Sequence, residues 1–354
     1  MAPIIITILV FLTVLVILVL VHELGHFLTA KAFDIKVLEF GIGFPPRLFA
    51  FRKGETYYSV NLLPLGGFVR LLGEDDPTEP RSLASKGTGT RMIVLAAGSF
   101  MNALLPLLIF AILFMTPQKI VTGDVLVREV VEGSPAHVAG LMTGDIILNA
   151  GGRTIENARD LGYAIQLNLG SNMPWLIERG DTQETLTLVP RISPPQGQGA
   201  TGIMIETINT QEISRSYPPW EAFPMAGKHM VEIMITAKNE VLRWILGKSQ
   251  PQLVGPIGIA QMTGEVTKSG FLPLLEFMGL LSINLAIINI LPIPMLDGGK
   301  LLFVVVEWAR RGKRIAPEKE RLVHGIGFAL LIGAIILVSY YDLVRIFQGG
   351  SLLK

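Results

Sequence analysis

An uncharged apolar run near the beginning of the chain limits its fold more than any other feature. Residues 4–21 contain no acidic or basic side chain, and the motif HELGH follows directly at residues 22–26. An apolar stretch of about 18 residues or more is long enough to cross the hydrocarbon core of a bilayer as one helix. The sequence therefore predicts a transmembrane helix that ends in a cluster of ionisable groups.

The two histidines of this motif are spaced to share one metal ion. His22 and His26 lie four residues apart, so a helix presents both imidazoles on one face, one turn apart. Imidazoles at this spacing can bind a tetrahedral zinc ion, with Glu23 beside it to accept a proton from water. The alternatives are a chance match and histidines that only hydrogen-bond a neighbour. Because ionisable groups at membrane depth are costly unless they serve a function, we interpret His22 and His26 as ligands and Glu23 as a general base.

The composition narrows the class of protein and the metal ligands it can offer. Half of the 354 residues are hydrophobic and 17% are charged, which indicates an integral membrane protein with room for a modest soluble domain. The net charge of +1 does not indicate a nucleic-acid partner. The sequence contains no cysteine, which excludes disulfides, a cysteine nucleophile and cysteine-bound metals. A zinc ion in this chain must therefore use histidine and carboxylate ligands.

Four apolar segments predict four transmembrane helices, and the basic residues between them predict their orientation. The approximate bounds of these segments are 4–27, 92–115, 271–292 and 325–346. Lysine and arginine concentrate after the first segment and between the third and the fourth, and cytoplasmic loops carry such an excess. Both termini and the long segment 117–270 are then expected outside. The HELGH end of the first helix is expected near the cytoplasmic face. Because no small-residue cleavage site follows the first apolar run, we expect this span to be retained.

The second apolar segment contains a group of small and polar residues. Gly98 and Ser99 are small enough for tight helix packing, and Asn102 can form a hydrogen bond across helices. Packing explains all three residues, so we expect no direct catalytic role for them.

The expected cytoplasmic segment 34–72 has the composition of short β-strands. It is rich in β-branched and aromatic residues and is interrupted by glycine and proline. Because non-helical backbone at membrane depth must be covered by protein or line a watery cavity, we interpret it as a membrane-associated β-hairpin or sheet near the metal. An ordinary cytoplasmic hairpin is the alternative. An exposed edge there would hold an extended peptide by strand addition, and Gly41 and Gly43 would permit its close approach.

Residues 120–206 have the pattern of an inserted α+β domain. A strand at 125–131 is followed by a helix start at 133–136, a turn and strand at 144–149, a helix at 157–167 and a hairpin around residue 180. This order, with the sequences GSPA, AGL and GDII, resembles a PDZ domain of the bacterial, circularly permuted type. PDZ domains bind peptide termini in a groove between a strand and a helix, so a peptide is the candidate ligand, and the sequence leaves open whether one is bound. A domain that only blocks access is the alternative.

The segment between this domain and the third span contains two further apolar stretches. Residues 220–246 predict an amphipathic helix on the outer membrane surface, and an exposed connecting helix is the alternative. Residues 253–260 are apolar but too short to span, so they are expected to be re-entrant or packed on the spans. The predicted divisions of the chain are 1–118, 119–206, 207–270 and 271–354.

A third metal ligand is expected after the third span. Asp297 lies in the sequence NILPIPMLDGG, at residues 289–299, and the predicted topology brings it to the depth of the HELGH motif. Pro292 and Pro294 stop the helix, and the two glycines after Asp297 permit a sharp turn. An Asp-Gly-Gly sequence is normally only a turn, but its apolar flanks and matching depth favour ligation. Asn289 could hydrogen-bond the backbone of a substrate, and a structural cap is the competing interpretation.

Taken together, these motifs resemble the site-2 protease family, and more closely its bacterial regulator-of-sigma-E type. The motifs are HELGH on the first span, the Gly41-x-Gly43 segment, the NxxPxPxLDG sequence and the inserted PDZ-like domain. The resemblance covers essentially the whole chain. It implies a multi-pass α-helical protease of the bacterial inner (plasma) membrane, with its active site near the cytoplasmic side and its PDZ domain extracytoplasmic. Its substrates would be single-span membrane proteins such as anti-sigma factors or signal-peptide remnants.

The resemblance also assigns roles to individual residues. His22, His26 and Asp297 match the zinc ligands of the family, and Glu23 matches its general base. The remaining matches are to substrate-contacting segments, and they are Asn289, Pro292, Pro294, Gly41 and Gly43. This chain has space for one PDZ domain rather than a tandem pair, so substrate gating by two such domains is not expected.

Two other classes of protein are compatible with parts of the sequence. A membrane adaptor without enzymatic activity would carry a PDZ module on four spans and use the histidines only for packing. A transporter would use Glu23 and Asp297 to relay protons or ions, although the chain lacks the paired halves of many transporters. Both alternatives predict that no zinc is bound, so metal analysis separates them from a protease.

Overall fold

The computed structural model describes residues 2–74, 76–249 and 253–350, which contain nine helices and eight strands. The helices are α1 (Ala2–Ala32), α2 (Thr88–Met115), α3 (Pro135–Val138), α4 (Ala158–Leu167), α5 (Pro219–Ile245), α6 (Pro256–Lys268), α7 (Phe271–Ile290), α8 (Asp297–Ala309) and α9 (Pro317–Phe347). The strands are β1 (Val37–Lys53), β2 (Thr56–Leu71), β3 (Gln118–Val130), β4 (Ile146–Ala150), β5 (Arg153–Thr154), β6 (Met173–Arg179), β7 (Thr182–Leu188) and β8 (Ile203–Arg215).

The chain divides into two compact units. The first, here called the helical unit, comprises residues up to 113 and from 253 onward. The second, here called the sheet unit, comprises residues 114–252. Because the first and last parts of the chain belong to one unit, the HELGH motif and the LDG sequence can meet within it.

Four helices of the described chain are long and apolar enough to cross a membrane, namely α1, α2, α7 and α9. They correspond to the four predicted apolar segments, so the predicted positions of four membrane-length apolar helices are confirmed. The glycine of the HELGH motif permits close packing of α1 on α2, because a Cβ atom on Gly25 would lie 2.3 Å from the carbonyl oxygen of Ala97. The two helices therefore pack closely beside the two histidines.

Strands β1 and β2 form the β-structure that the sequence predicts between the first two spans. Residues 39–42 of β1 pair with residues 57–60 of β2 and also with residues 67–70, which fold back along their other side. Segment 67–71 has a strand partner on one side only among the described residues. The sheet packs on α1, where Gly67 lies close to the side chains of Val19 and Glu23.

The short apolar stretch after residue 252 belongs to a helix that packs on the spans. Helix α6 contacts α1, and a Cβ atom on Gly264 would lie 2.6 Å from Thr7. Its N-terminus is held by Asp342 of α9, whose Oδ2 accepts hydrogen bonds from the backbone N–H groups of Gly255 at 2.9 Å and Gly258 at 2.8 Å. The sequence left open whether this stretch is re-entrant or packed on the spans, and the structure shows packing on α1 and α9.

The sheet unit is built around six strands in the order β7-β6-β4-β3-β8, with β5 paired to β4. Its core contains Val125, Ile147, Leu161, Trp175 and Ile177, all fully buried. Asn157 caps α4 by accepting a hydrogen bond from Asp160 N–H, and Ser134 caps α3 in the same way from His137 N–H. The strands, the two helices and the hairpin lie close to where the sequence predicts them.

Two predicted boundaries differ from those of the structure. The boundary at residue 206 lies inside β8, because Gln118 and Lys119 at the start of β3 pair with Arg215 and Ser214 at the end of β8. The predicted segment 207–270 is also not one unit, since its first part belongs to the sheet unit and its last part to the helical unit. Strand pairing between distant residues sets both boundaries, and local sequence does not reveal it.

Candidate metal centre

Three side chains from opposite ends of the sequence converge within the helical unit. The Oδ2 atom of Asp297 lies 2.8 Å from His22 Nε2 and 3.1 Å from His26 Nε2. The two Nε2 atoms are 3.2 Å apart. Both histidines are buried and Asp297 is partly buried. Among the described residues, this is the group of histidine and acidic side chains whose ligand atoms lie close enough together to bind one metal ion.

A tightly folded loop brings Asp297 to the histidines. Helix α7 ends at Ile290, and α8 begins at Asp297 itself. A Cβ atom on Gly298 would lie 2.1 Å from the carbonyl oxygen of Leu291, and one on Gly299 would lie 2.4 Å from that of Ile293. Residues with side chains would clash at both positions, so the two glycines permit the loop to fold back on the end of α7.

The protonation of His26 follows from its hydrogen bond to α2. His26 Nδ1 lies 2.8 Å from the carbonyl oxygen of Val94, which can only accept a hydrogen bond, so Nδ1 carries the proton. In the neutral ring, the Nε2 atom then presents a lone pair toward His22 Nε2 and Asp297 Oδ2. With His22 Nε2 also unprotonated, three acceptor atoms would face one another, and a cation between them would remove their repulsion. Ligands around a tetrahedral zinc ion lie roughly 3.3 Å apart, and the three observed separations of 2.8, 3.1 and 3.2 Å are close to that spacing.

Glu23 lies next to the three candidate ligands without belonging to their cluster. It is half-buried, and it interacts with the backbone of Val69 in β2. A Cβ atom on Gly67 would lie 3.5 Å from Glu23 Cγ, so the sheet backbone approaches this carboxylate closely. A general base must reach the proton that it removes, and this position beside the metal-binding atoms suits that role.

Helix α2 contributes three residues around the histidines that the sequence analysis assigned only to packing or did not single out. Gly98 leaves the space that the imidazoles occupy, because a Cβ atom there would lie 2.3 Å from His26 Nε2 and 2.6 Å from His22 Cε1. Val94 accepts the hydrogen bond from His26, and Asn102 Nδ2 lies 3.4 Å from His22 Nδ1. The sequence did contain a signal for this arrangement. These three positions are four residues apart, which places them on one face of α2.

Of the predicted substrate-contacting residues at the end of α7 and in the loop after it, Asn289 lies beside this centre. Asn289 Nδ2 is 3.5 Å from His22 Nδ1. Pro292 is exposed and Pro294 is half-buried, with Gly327 of α9 closely packed against Pro294. Met295 adopts a left-handed backbone conformation (φ 82°), and its N–H donates a 2.8 Å hydrogen bond to His324 Nδ1. Helix α9 thus supports the loop that ends at Asp297.

The predicted open edge at Gly41 and Gly43 is wrong in its position. Gly41 is paired on both sides, with Ser59 and with Phe68, so its backbone is not free for another strand. Gly43 adopts a positive φ of 76°, and its carbonyl oxygen accepts a 3.1 Å hydrogen bond from Asn61 Nδ2. The segment 67–71 forms the edge near Glu23 instead. The sequence identified the strands correctly, but the return of β2 along β1 depends on pairing that local composition does not encode.

Known proteins resemble this chain over most of its length. The model of peptidase family M50 matches residues 10–334. The zinc metalloprotease RasP of Geobacillus kaustophilus is 32% identical over 93% of this chain and 96% of its own length. The RasP of Oceanobacillus iheyensis is 29% identical over 96% of this chain and 99% of its own length. The regulator of sigma-W protease RasP of Bacillus subtilis is 28% identical, also over 96% of this chain and 99% of its own length.

Proposed function

Because the chain belongs to peptidase family M50 and is a zinc metalloprotease, we propose that it hydrolyses peptide bonds of single-span membrane proteins within or near the bilayer. The observation that carries this proposal is the convergence of His22, His26 and Asp297 in a chain with four membrane-length helices. These three residues are the proposed zinc ligands. A soluble peptidase would have no need to build its metal site on an apolar helix.

Glu23 is the proposed general base. A zinc ion held by the three ligands supplies a Lewis acid that polarises a peptide carbonyl and makes water more acidic. Glu23 accepts the proton of the attacking water and later gives it to the nitrogen of the leaving amine. Its position beside the ligand atoms and against the backbone of β2 supports this role.

The substrate is proposed to bind in an extended conformation. A helix shields its carbonyl groups in internal hydrogen bonds, so a transmembrane substrate must unwind locally before attack. Segment 67–71, which is paired on one side only among the described residues and lies beside Glu23, is the proposed edge for strand addition. Asn289, Pro292 and Pro294 remain proposed substrate contacts, and Gly41 and Gly43 are proposed to support the sheet behind the edge.

The bacterial inner membrane is the proposed location, with the metal centre near the cytoplasmic side. The basic residues of the connections after α1 and before α9 favour this orientation. Water for hydrolysis would then enter from the cytoplasm. One relative is named a regulator of sigma-W protease, so anti-sigma factors are candidate substrates for this chain, together with signal-peptide remnants.

Within the sheet unit, the predicted domain 119–206, extended to the end of β8, is proposed to be an extracytoplasmic PDZ domain that binds a peptide. Strand β8 is last in the order of the sheet, and α4 lies close to it, with Ala158 N–H donating a 3.2 Å hydrogen bond to Thr207 Oγ1. A strand edge beside a helix is the geometry in which PDZ domains hold peptide termini. A membrane adaptor without enzymatic activity would use the same groove, and the zinc ligands favour the protease instead.

The Glu23→Gln variant tests the proposed reaction. It should retain bound zinc, because none of the three ligands is altered, and cleavage of a single-span reporter should fall by about 10²-fold or more. Glu276→Gln changes an exposed glutamate at the start of α7 and should cleave at the rate of the unmodified protein. Substantial cleavage of the reporter by Glu23→Gln would contradict the proposal. So would a reporter that stays uncleaved in the presence of the unmodified enzyme.

A further inference from the structure

One face of α2 lies along both candidate histidine ligands. Val94, Gly98 and Asn102 are spaced four residues apart, so they follow one another along that face. Val94 accepts the Nδ1 hydrogen bond of His26, and Gly98 leaves room for both imidazoles. The third position, Asn102, lies beside His22 Nδ1, which is the ring nitrogen that faces away from the ligand cluster.

The proton of His22 requires an acceptor at this place. If Nε2 binds the metal, the neutral ring carries its proton on Nδ1, which must then donate a hydrogen bond. Two amide nitrogens lie near it, Asn102 Nδ2 at 3.4 Å and Asn289 Nδ2 at 3.5 Å. Both are donors, so neither can accept this proton. A half-turn of either carboxamide would exchange its nitrogen for its oxygen.

Asn102 is the better acceptor of the two. Its residue is 1% exposed, and its Oδ1 atom has no hydrogen-bond partner among the described residues. Its backbone is held in place, because Ser282 Oγ of α7 donates a 2.7 Å hydrogen bond to the carbonyl oxygen of Asn102. Asn289 is only partly buried, which leaves its amide available for other contacts. Asn102 thus has a buried amide oxygen without a partner, and the neighbouring His22 ring must donate a hydrogen bond. A hydrogen bond between the two would satisfy both groups.

We propose that Asn102 Oδ1 accepts the hydrogen bond from His22 Nδ1–H and so holds the imidazole with Nε2 toward the metal. Asn102 is thus a positioning residue for a ligand, as the Val94 carbonyl is for His26, and α2 orients both imidazoles. This inference rests on the proposed zinc site and goes beyond the proposed ligands. Acceptors of this kind fix the ring tautomer and orientation, and their loss typically weakens metal binding by about 10–100-fold.

Zinc affinity measured by chelator competition on the purified full-length protein tests this proposal without reference to cleavage. Asn102→Leu removes the acceptor at similar size and should weaken zinc binding roughly 10–100-fold. Asn102→Asp keeps an acceptor at this position and should bind zinc within a fewfold of the unmodified protein. Ser99→Ala is the matched control, because it removes a buried polar group of the same helix whose Oγ has no hydrogen-bond partner among the described residues, and its zinc affinity should be unchanged.

The outcomes separate this proposal from the proposed function. If Asn102→Leu accumulates poorly, Asn102→Ala gives the same comparison with a smaller side chain. Equal zinc affinity of the unmodified protein and the Leu or Ala variant would overturn the positioning role alone. Equal losses of zinc affinity in Asn102→Asp and Asn102→Leu would also overturn it. The acceptor at this position would then make no difference, and Asn102 would serve only in packing. Absence of zinc binding by the unmodified protein would instead contradict the proposed function itself.

Discussion

At the scale of single residues, Gly98 defines the space in which the metal centre forms. The sequence indicated that Gly98 permits close packing, but not that the groups packed against it are the two histidines. That contact joins residues more than 70 positions apart, and only the arrangement of α1 on α2 reveals it. The ligands were easier to predict, because His22 and His26 share one helix turn and Asp297 follows a span at matching depth.

Gly98→Ala should therefore impair zinc binding. The added Cβ atom would lie 2.3 Å from His26 Nε2 and 2.6 Å from His22 Cε1, so both rings must move away from the positions that converge on Asp297. We expect zinc affinity to fall by about tenfold or more. Gly333→Ala in α9, where nothing lies within 4 Å, is the matched control. The same zinc content in both variants would show that the site has more room than the structure indicates.

Glu55, in the turn between β1 and β2, gives a pH-dependent contribution to stability. Hydrogen bonds from Arg81 and from Lys31 lower the pKa of Glu55 from 4.5 to about 2. Because the pKa is lowered on folding, the contribution is fully present above pH 4.5 and is lost as the pH falls toward 2. Its size should be small, about 1 kcal/mol or less, because the ion pairs are near the surface.

Thermal unfolding of Glu55→Gln and the unmodified protein as a function of pH measures this contribution. The difference in melting temperature should be constant above pH 4.5 and should shrink below it. A difference that does not change between pH 6 and pH 3 would mean that the ion pairs with Lys31 and Arg81 do not form in solution.

At the scale of elements, the sequence located the spans and strands well and their pairing poorly. Apolar length alone predicts α1, α2, α7 and α9, since a bilayer sets the length of a spanning helix. The edge strand beside Glu23 could not be predicted, because β2 folds back along β1 to a second set of partners. Helix α6 likewise depends on a distant residue, Asp342, for the acceptor at its N-terminus.

Asp342→Ala should loosen the start of α6. Asp342 is fully buried, and its removal leaves the N–H groups of Gly255 and Gly258 without this acceptor. The loss of a buried hydrogen bond costs about 1 kcal/mol or more, so hydrogen exchange at these two amides should accelerate roughly fivefold or more. Tyr341→Phe, at the exposed neighbouring position, should leave the exchange rates unchanged. Unaltered exchange in Asp342→Ala would show that other contacts hold α6.

At the scale of the whole molecule, strands β3 to β8 form an insertion whose ends meet. Gln118 pairs with Arg215, so excision of residues 118–215 can be closed by a short glycine-serine turn. The sequence predicted the insertion, but its predicted end at residue 206 is nine residues before the end of β8. The local sequence of β8 does not indicate that this strand pairs with the start of β3. The helical unit contains all the proposed ligands, and its two parts come from the two ends of the chain.

This excision should preserve zinc binding and loosen substrate choice. The proposed ligands and base all lie outside the removed segment, whereas the proposed peptide groove lies within it. Cleavage assays on a panel of single-span reporters should then show that the excised protein hydrolyses more of them than the unmodified protein does. The same excision with Glu23→Gln should cleave none of them. Loss of zinc from the excised protein would mean that the removed segment is needed to maintain the metal centre.

The central claim is that two imidazoles of α1 and one carboxylate of α8 bind the same ion. The zinc content of purified unmodified protein and of Asp297→Ala, measured side by side by elemental analysis, tests it most directly. We predict one zinc ion per chain in the unmodified protein and a large loss in Asp297→Ala. Equal zinc content in the two proteins would contradict the account, because Asp297 would then contribute nothing to the site.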